Sequence, residues 1–124
     1  LYAAHILEAF LPRGGYSPTD DITVFENVYF LAAENPADAW TTAEALGRES
    51  CVDDETMHIN ERPVKSTFLG VRKIISFSDA GPYLSIYPDA LSAGVEATYS
   101  VLVVKASDLP ALAAGDPVPV TYEE

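Results

Sequence analysis
The sequence predicts one α+β domain spanning residues 1–124, built on a mostly antiparallel sheet of four to five strands. One main helix, about 36–50, packs on one sheet face, and a short C-terminal helix lies at about 108–114. Three observations predict this. Thr23 to Ala33 is dense in β-branched and aromatic residues, which suit a pleated surface. Asn35-Pro36-Ala37-Asp38 follows at once and carries the marks of a helix start. The other apolar runs are short, broken by Gly and Pro, and none approaches the ~20 residues of a membrane-crossing helix.

Leu1 to Leu11 fits either a strand or a helix by periodicity. Tyr2, Ala4, Ile6 and Phe10 share one pleat face, and Pro12-Arg13-Gly14-Gly15 reads as a hairpin connection, which favours the strand. Within Thr23 to Ala33, even positions carry Val24, Val28, Phe30 and Ala32, and odd positions carry Phe25, Tyr29, Leu31 and Ala33. Both faces become apolar towards the end, so this strand is expected to be central. Asn35 can cap the helix, Pro36 fits its first position, and Asp38 sits at the positive end of its dipole. Ala39, Trp40, Ala43 and Leu46 make a one-sided stripe, with Trp40 expected to supply most of the buried area. On that placement Trp40→Ala costs roughly 3–5 kcal/mol.

Gly47 is expected near the helix end, and Cys51 to Asn60 as an exposed acidic loop. Arg62 to Phe77 is too long for an ordinary strand of about 5–6 residues, so a bulge or bend is expected at Gly70. Ser78 to Gly94 holds three turn signals around a short edge segment, Tyr83 to Tyr87. Glu96 to Val104 ends as a buried strand. Ser107 or Asp108 can cap the last helix, and Gly115 stops it. Pro117 and Pro119 confine any pairing of the tail to a sheet edge.

Seven basic against nineteen acidic side chains give a net charge of −12. A surface of that sign repels phosphate, so neither nucleic acid nor a membrane is an expected partner. A partner with a basic face is the specific alternative to simple solubility. Cys51 is the single cysteine, so no internal disulfide forms; this fits a reducing, cytoplasmic setting.

The chemical motifs are sparse. His5 and His58 with Asp53, Asp54 and Glu55 match no metal-loop spacing, and no metal or cofactor is expected. Arg48 precedes Cys51 by three residues, but no base accompanies the thiol, and a small core residue is the simpler reading. There is no nucleophile elbow and no phosphate-cradling glycine loop, so no catalytic residue is assigned. Four of the seven cations, Arg62, Lys65, Arg72 and Lys73, fall within twelve positions and form a candidate anion site. Lys65 and Lys73 share one pleat parity, Arg62 and Arg72 the other, unless Gly70 shifts it. The simpler reading pairs them with carboxylates such as Glu61, Asp53 and Asp54. Tyr16, Tyr83, Tyr87, Tyr99 and Tyr122 suit an interface as well as a core rim.

The chain resembles a small bacterial family, domain of unknown function 4288. Tyr2-Ala3-Ala4-His5, Val28-x-x-x-Ala32 with Ala39, Ala43 and Gly47, and Gly94-x-Glu96 carry part of the likeness. The most specific block is Asn60 followed by Val64-x-x-x-Phe68-x-Gly70-Val71-x-x-Ile74. Glu61 stands where the pattern has glycine, and Ser66 where it has an aromatic. The resemblance implies a compact α+β domain and brings no activity. The expected function is a non-catalytic interaction module with a basic protein partner, of inhibitor or immunity type. The alternative is a small-molecule pocket between helix and sheet. The uncovered sheet face is expected to be the functional surface, or to be covered by a second copy in a homodimer.

Overall fold
The computed structural model describes residues 1–77 and 94–123. Six strands form one antiparallel sheet. They are β1 (Tyr2–Pro12), β2 (Asp21–Leu31), β3 (His58–Ile59), β4 (Arg62–Ser76), β5 (Val95–Lys105) and β6 (Thr121–Glu123), in the order β3-β4-β1-β2-β5-β6. Among the described residues there are two helices, α1 (Pro36–Ser50) and α2 (Leu109–Ala113), the latter entered through a 3-10 turn at Ala106–Asp108. The count exceeds the expected four to five because β3 and β6 are edge strands of two and three residues. Such segments are too short to show a period of two. The prolines do confine the tail to an edge, as expected. The expected segment Tyr83 to Tyr87 lies outside the described residues.

β1 is a strand, and its alternation supplies two cores. Tyr2, Ala4 and Ile6 point to the α1 side, with Leu31, Val71, Ala39 and Ala43. Leu7 and Ala9 point to the other side, with Ile22, Val24, Leu102, Val104, Leu109 and Leu112. Both sheet faces are therefore partly covered, so neither is wholly free as expected.

α1 begins where the local chemistry places it: Asn35 Oδ1 accepts from the Asp38 amide at 2.8 Å. Asp108 makes no such side-chain cap for the last helix. Trp40 is a correction. It is 41% exposed, and its Nε1 donates to Glu44 Oε1 at 2.8 Å on the helix's own surface. The residues buried beneath α1 are Ala39, Ala43 and Gly47, a line of the smallest side chains at spacings of four. Gly47 lies in the last turn of α1, near the helix end as expected, and is there a buried contact with the sheet. A Cβ there would lie 2.6 Å from Phe68 Cδ2 and 2.9 Å from Ile6 Cγ2. Close approach of helix to sheet selects the small line, and Trp40, one residue off it, is turned aside.

Bulges set which side chains share a face. Between β1 and β4 the register shifts twice, leaving Leu69 and Arg72 without partners on either side of Gly70. The bend expected at this glycine is thus a pair of bulges, which also makes the long strand curve. A third shift, between β2 and β5, leaves Ala97 unpaired.

Candidate functional site
α1 crosses β4 and β1. The same sheet face continues beyond it over β2 and β5 and curls into a half-barrel. On this concave part an aromatic ladder runs across three strands. Phe10 meets Phe25 edge-on at 4.9 Å between centroids, and Phe25 stacks on Tyr99 at 5.6 Å. Tyr99 is 57% exposed, so the ladder opens to solvent at its β5 end. The curl is strong enough for all six strands to line one concavity of about 240 Å³, through Phe10, Thr23, Ile59, Arg62, Val103 and Glu123. No residue of α1 lines it.

Acidic groups border this surface. Asp21, Glu96 and Glu123 lie on its side of the sheet by register, Asp21 paired with Lys105. Glu96 stands close enough to Tyr29 that its charge adds to burial in raising the Tyr29 phenol above its ordinary value. In the loop after α1, Asp53 pairs with Arg13, and the Asp54 carboxylate accepts from the Thr56 amide at 2.9 Å. Both carboxyls are held below the usual range, Asp53 by the Arg13 hydrogen bond and Asp54 by its bonds from Thr56.

Where α1 ends, Glu8, Ser66 and Cys51 meet: Ser66 Oγ donates to Glu8, and the thiol sits beside both. Burial pushes the Cys51 thiol up, and the Glu8 charge works in the same direction. A thiol held protonated is a poor nucleophile.

On the opposite face Glu26, only 7% exposed, accepts from Arg72 Nη1 at 2.7 Å and faces His5 Nδ1 at 3.2 Å. Burial holds His5 below its ordinary value, outweighing the pull of Glu26, with Lys73 and Arg72 pressing the same way. This ion cluster anchors the bulge residue Arg72 over β2.

The four candidate anion-site cations are dispersed by this geometry. Arg62 opens onto the concavity, and its Nη2 donates to the Gly15 carbonyl at 3.3 Å. Arg72 is on the other side, bound to Glu26, because the bulges shift its parity. Lys65 and Lys73 share that face by register but pair with Leu11 and His5, roughly 20 Å apart along β1 at about 3.4 Å per residue. Arg72 and Lys73 are neighbours; the quartet is not one site. The histidines are separated too, His58 Nδ1 meeting the Thr56 carbonyl at 2.7 Å on β3. Among the described residues no three His, Cys, Asp or Glu side chains converge. None of the helices is long and apolar enough to cross a membrane, among the described residues. Tyr16 and Tyr122 are exposed as Tyr99 is, and Tyr83 and Tyr87 lie outside the described residues.

No protein-family profile, curated protein or solved structure matches this chain.

Sequence reasoning missed the Phe10–Phe25–Tyr99 ladder. Strand parity groups Phe25 with Tyr29, but contact with Phe10 and Tyr99 depends on strand order. The signal for β3 was Asn60, a residue favoured in tight hairpin turns.

Proposed function
We propose that this domain is a non-catalytic interaction module whose acidic concave face takes a basic surface of a partner protein, as an inhibitor or immunity-type protein does. The carrying observation is the open aromatic ladder ending at Tyr99, with Glu96 and Glu123 on the same side; Asp21 there is paired with Lys105, and Arg62 lies across the concavity on β4. Aromatic side chains supply contact area, and the carboxylates steer a cationic partner to it. The net charge of −12 favours such a partner over a second copy of the chain, whose like charge would oppose assembly. The close seating of α1 at Gly47 speaks against the other reading, a ligand between helix and sheet. The resemblance to domain of unknown function 4288 belongs to the same proposal and assigns no activity.

The test is affinity capture on the immobilised domain, followed by titration of the purified captured protein. The expected partner is basic, and its affinity falls at least about tenfold between low and high salt. Glu96→Lys with Tyr99→Ala lowers it further. Affinity indifferent to salt and to both substitutions would refute the proposal.

A further inference from the structure
β5 is eleven residues long, but β6 pairs only with Val101, Leu102 and Val103. Val95 to Ser100 are all exposed, and among the described residues no strand lies along their outer edge. Such an edge presents a row of unpaired amides and carbonyls to any extended chain. Val95, Thr98 and Tyr99 are strand formers, and the stretch has no proline and a single charge, Glu96.

We propose that the partner is recognised by strand addition: an extended segment carrying Lys or Arg at alternate positions pairs with Val95–Ser100 of β5. This rests on the basic-partner reading above and specifies how that partner is held. The bulge at Ala97 matters here. Residues 96 and 99 would fall on opposite faces of a regular strand. The unpaired Ala97 brings Glu96, opposite Tyr29, to the same face as Tyr99, opposite Asn27. Glu123, opposite Val101, continues that face along the edge. An added strand therefore meets carboxylate, exposed phenol ring and carboxylate in succession on its concave side. A cation over Tyr99 gains from the ring face and from both acids. Backbone pairing supplies affinity, and the alternate side chains supply the choice of a basic segment.

The experiment uses the full chain and a synthetic peptide of about ten residues alternating Lys and Val, with a Glu–Val peptide as control. Amide hydrogen exchange is followed residue by residue. The outward-pointing amides of 95–100 exchange fast in the chain alone and slow at least about tenfold with the Lys–Val peptide. The Glu–Val peptide leaves them unchanged, and Glu96→Lys weakens binding of the Lys–Val peptide about tenfold. Edge amides already slow without peptide would overturn the proposal, since the edge would be occupied. Binding that perturbs Phe10 and Phe25 without protecting 95–100 would overturn strand addition and leave the basic-partner reading standing. No binding of the Lys–Val peptide at low salt would remove both.

Discussion

Glu61→Gly is expected to stabilise the protein, although it deletes a side chain and adds backbone freedom. His58 pairs with Pro63 and Ile59 with Arg62, so Asn60 and Glu61 alone turn the β3–β4 hairpin. Both have positive φ, 51° and 65°. That is the two-residue turn whose twist matches the flanking strands and which favours Asn followed by Gly. A residue with a Cβ pays about 1–2 kcal/mol to hold the left-handed conformation. Glycine avoids most of that but loses about 0.5–1 kcal/mol more chain entropy on folding. The net gain is about 0.5–1 kcal/mol. With an unfolding entropy of about 2.1 cal/mol/K per residue, a chain of 124 residues should gain about 2–4 °C in Tm. Glu61 is exposed and makes no ion pair among the described residues, so little is lost with the carboxylate. Thermal and urea unfolding of the parent, Glu61→Gly and Glu61→Ala would settle it. The alanine variant keeps the Cβ and should show no gain. A glycine variant no more stable than the parent would refute the turn strain.

Trp40→Ala should cost only about 1 kcal/mol in urea unfolding, since the indole is half in solvent; a loss of 3 kcal/mol or more would return it to the core. His5 is held below its ordinary value of 6.5, so the unfolded chain binds more protons in the window just beneath that pH. The His5 contribution is therefore intact above about pH 6.5 and fades as pH falls towards the folded value. His5→Gln should flatten that part of the stability profile, and identical profiles would contradict the assignment. The Cys51 thiol should alkylate at least about tenfold more slowly than a free thiol at neutral pH, and at the ordinary rate once urea unfolds the chain.

The sequence announced those features that depend on neighbours along the chain. The Asn35–Asp38 cap is local chemistry, and the bounds of α1 follow from it. β1 was legible because Gly14 and Gly15 force a turn after it. The docking side of α1 was not, because periodicity marks Ala39, Trp40, Ala43 and Leu46 together and bulk favours Trp40. Only the distance between helix and sheet decides for Ala39, Ala43 and Gly47, and that distance is a tertiary quantity. The candidate site was less legible still. Unpaired residues at Leu69, Arg72 and Ala97 each reverse the parity that follows them. Gly70 hinted at the first two, and nothing marked the third. The cations of β4 looked like one cluster in the sequence because Gly70 marks a bend without giving the number or place of the bulges, which decide the face of Arg72.

α1 lies so close to β4 and β1 that, among the described residues, the rest of the concave face stays open. The most direct test is the stability of Gly47→Ala. Helix propensity alone makes this change favourable by about 1 kcal/mol. The structure places the new methyl 2.9 Å from Ile6 Cγ2 and against the Phe68 ring, where overpacking costs about 1–3 kcal/mol. The expected result is a variant less stable than the parent in urea unfolding. A more stable variant would mean that the helix does not rest on the sheet at Gly47.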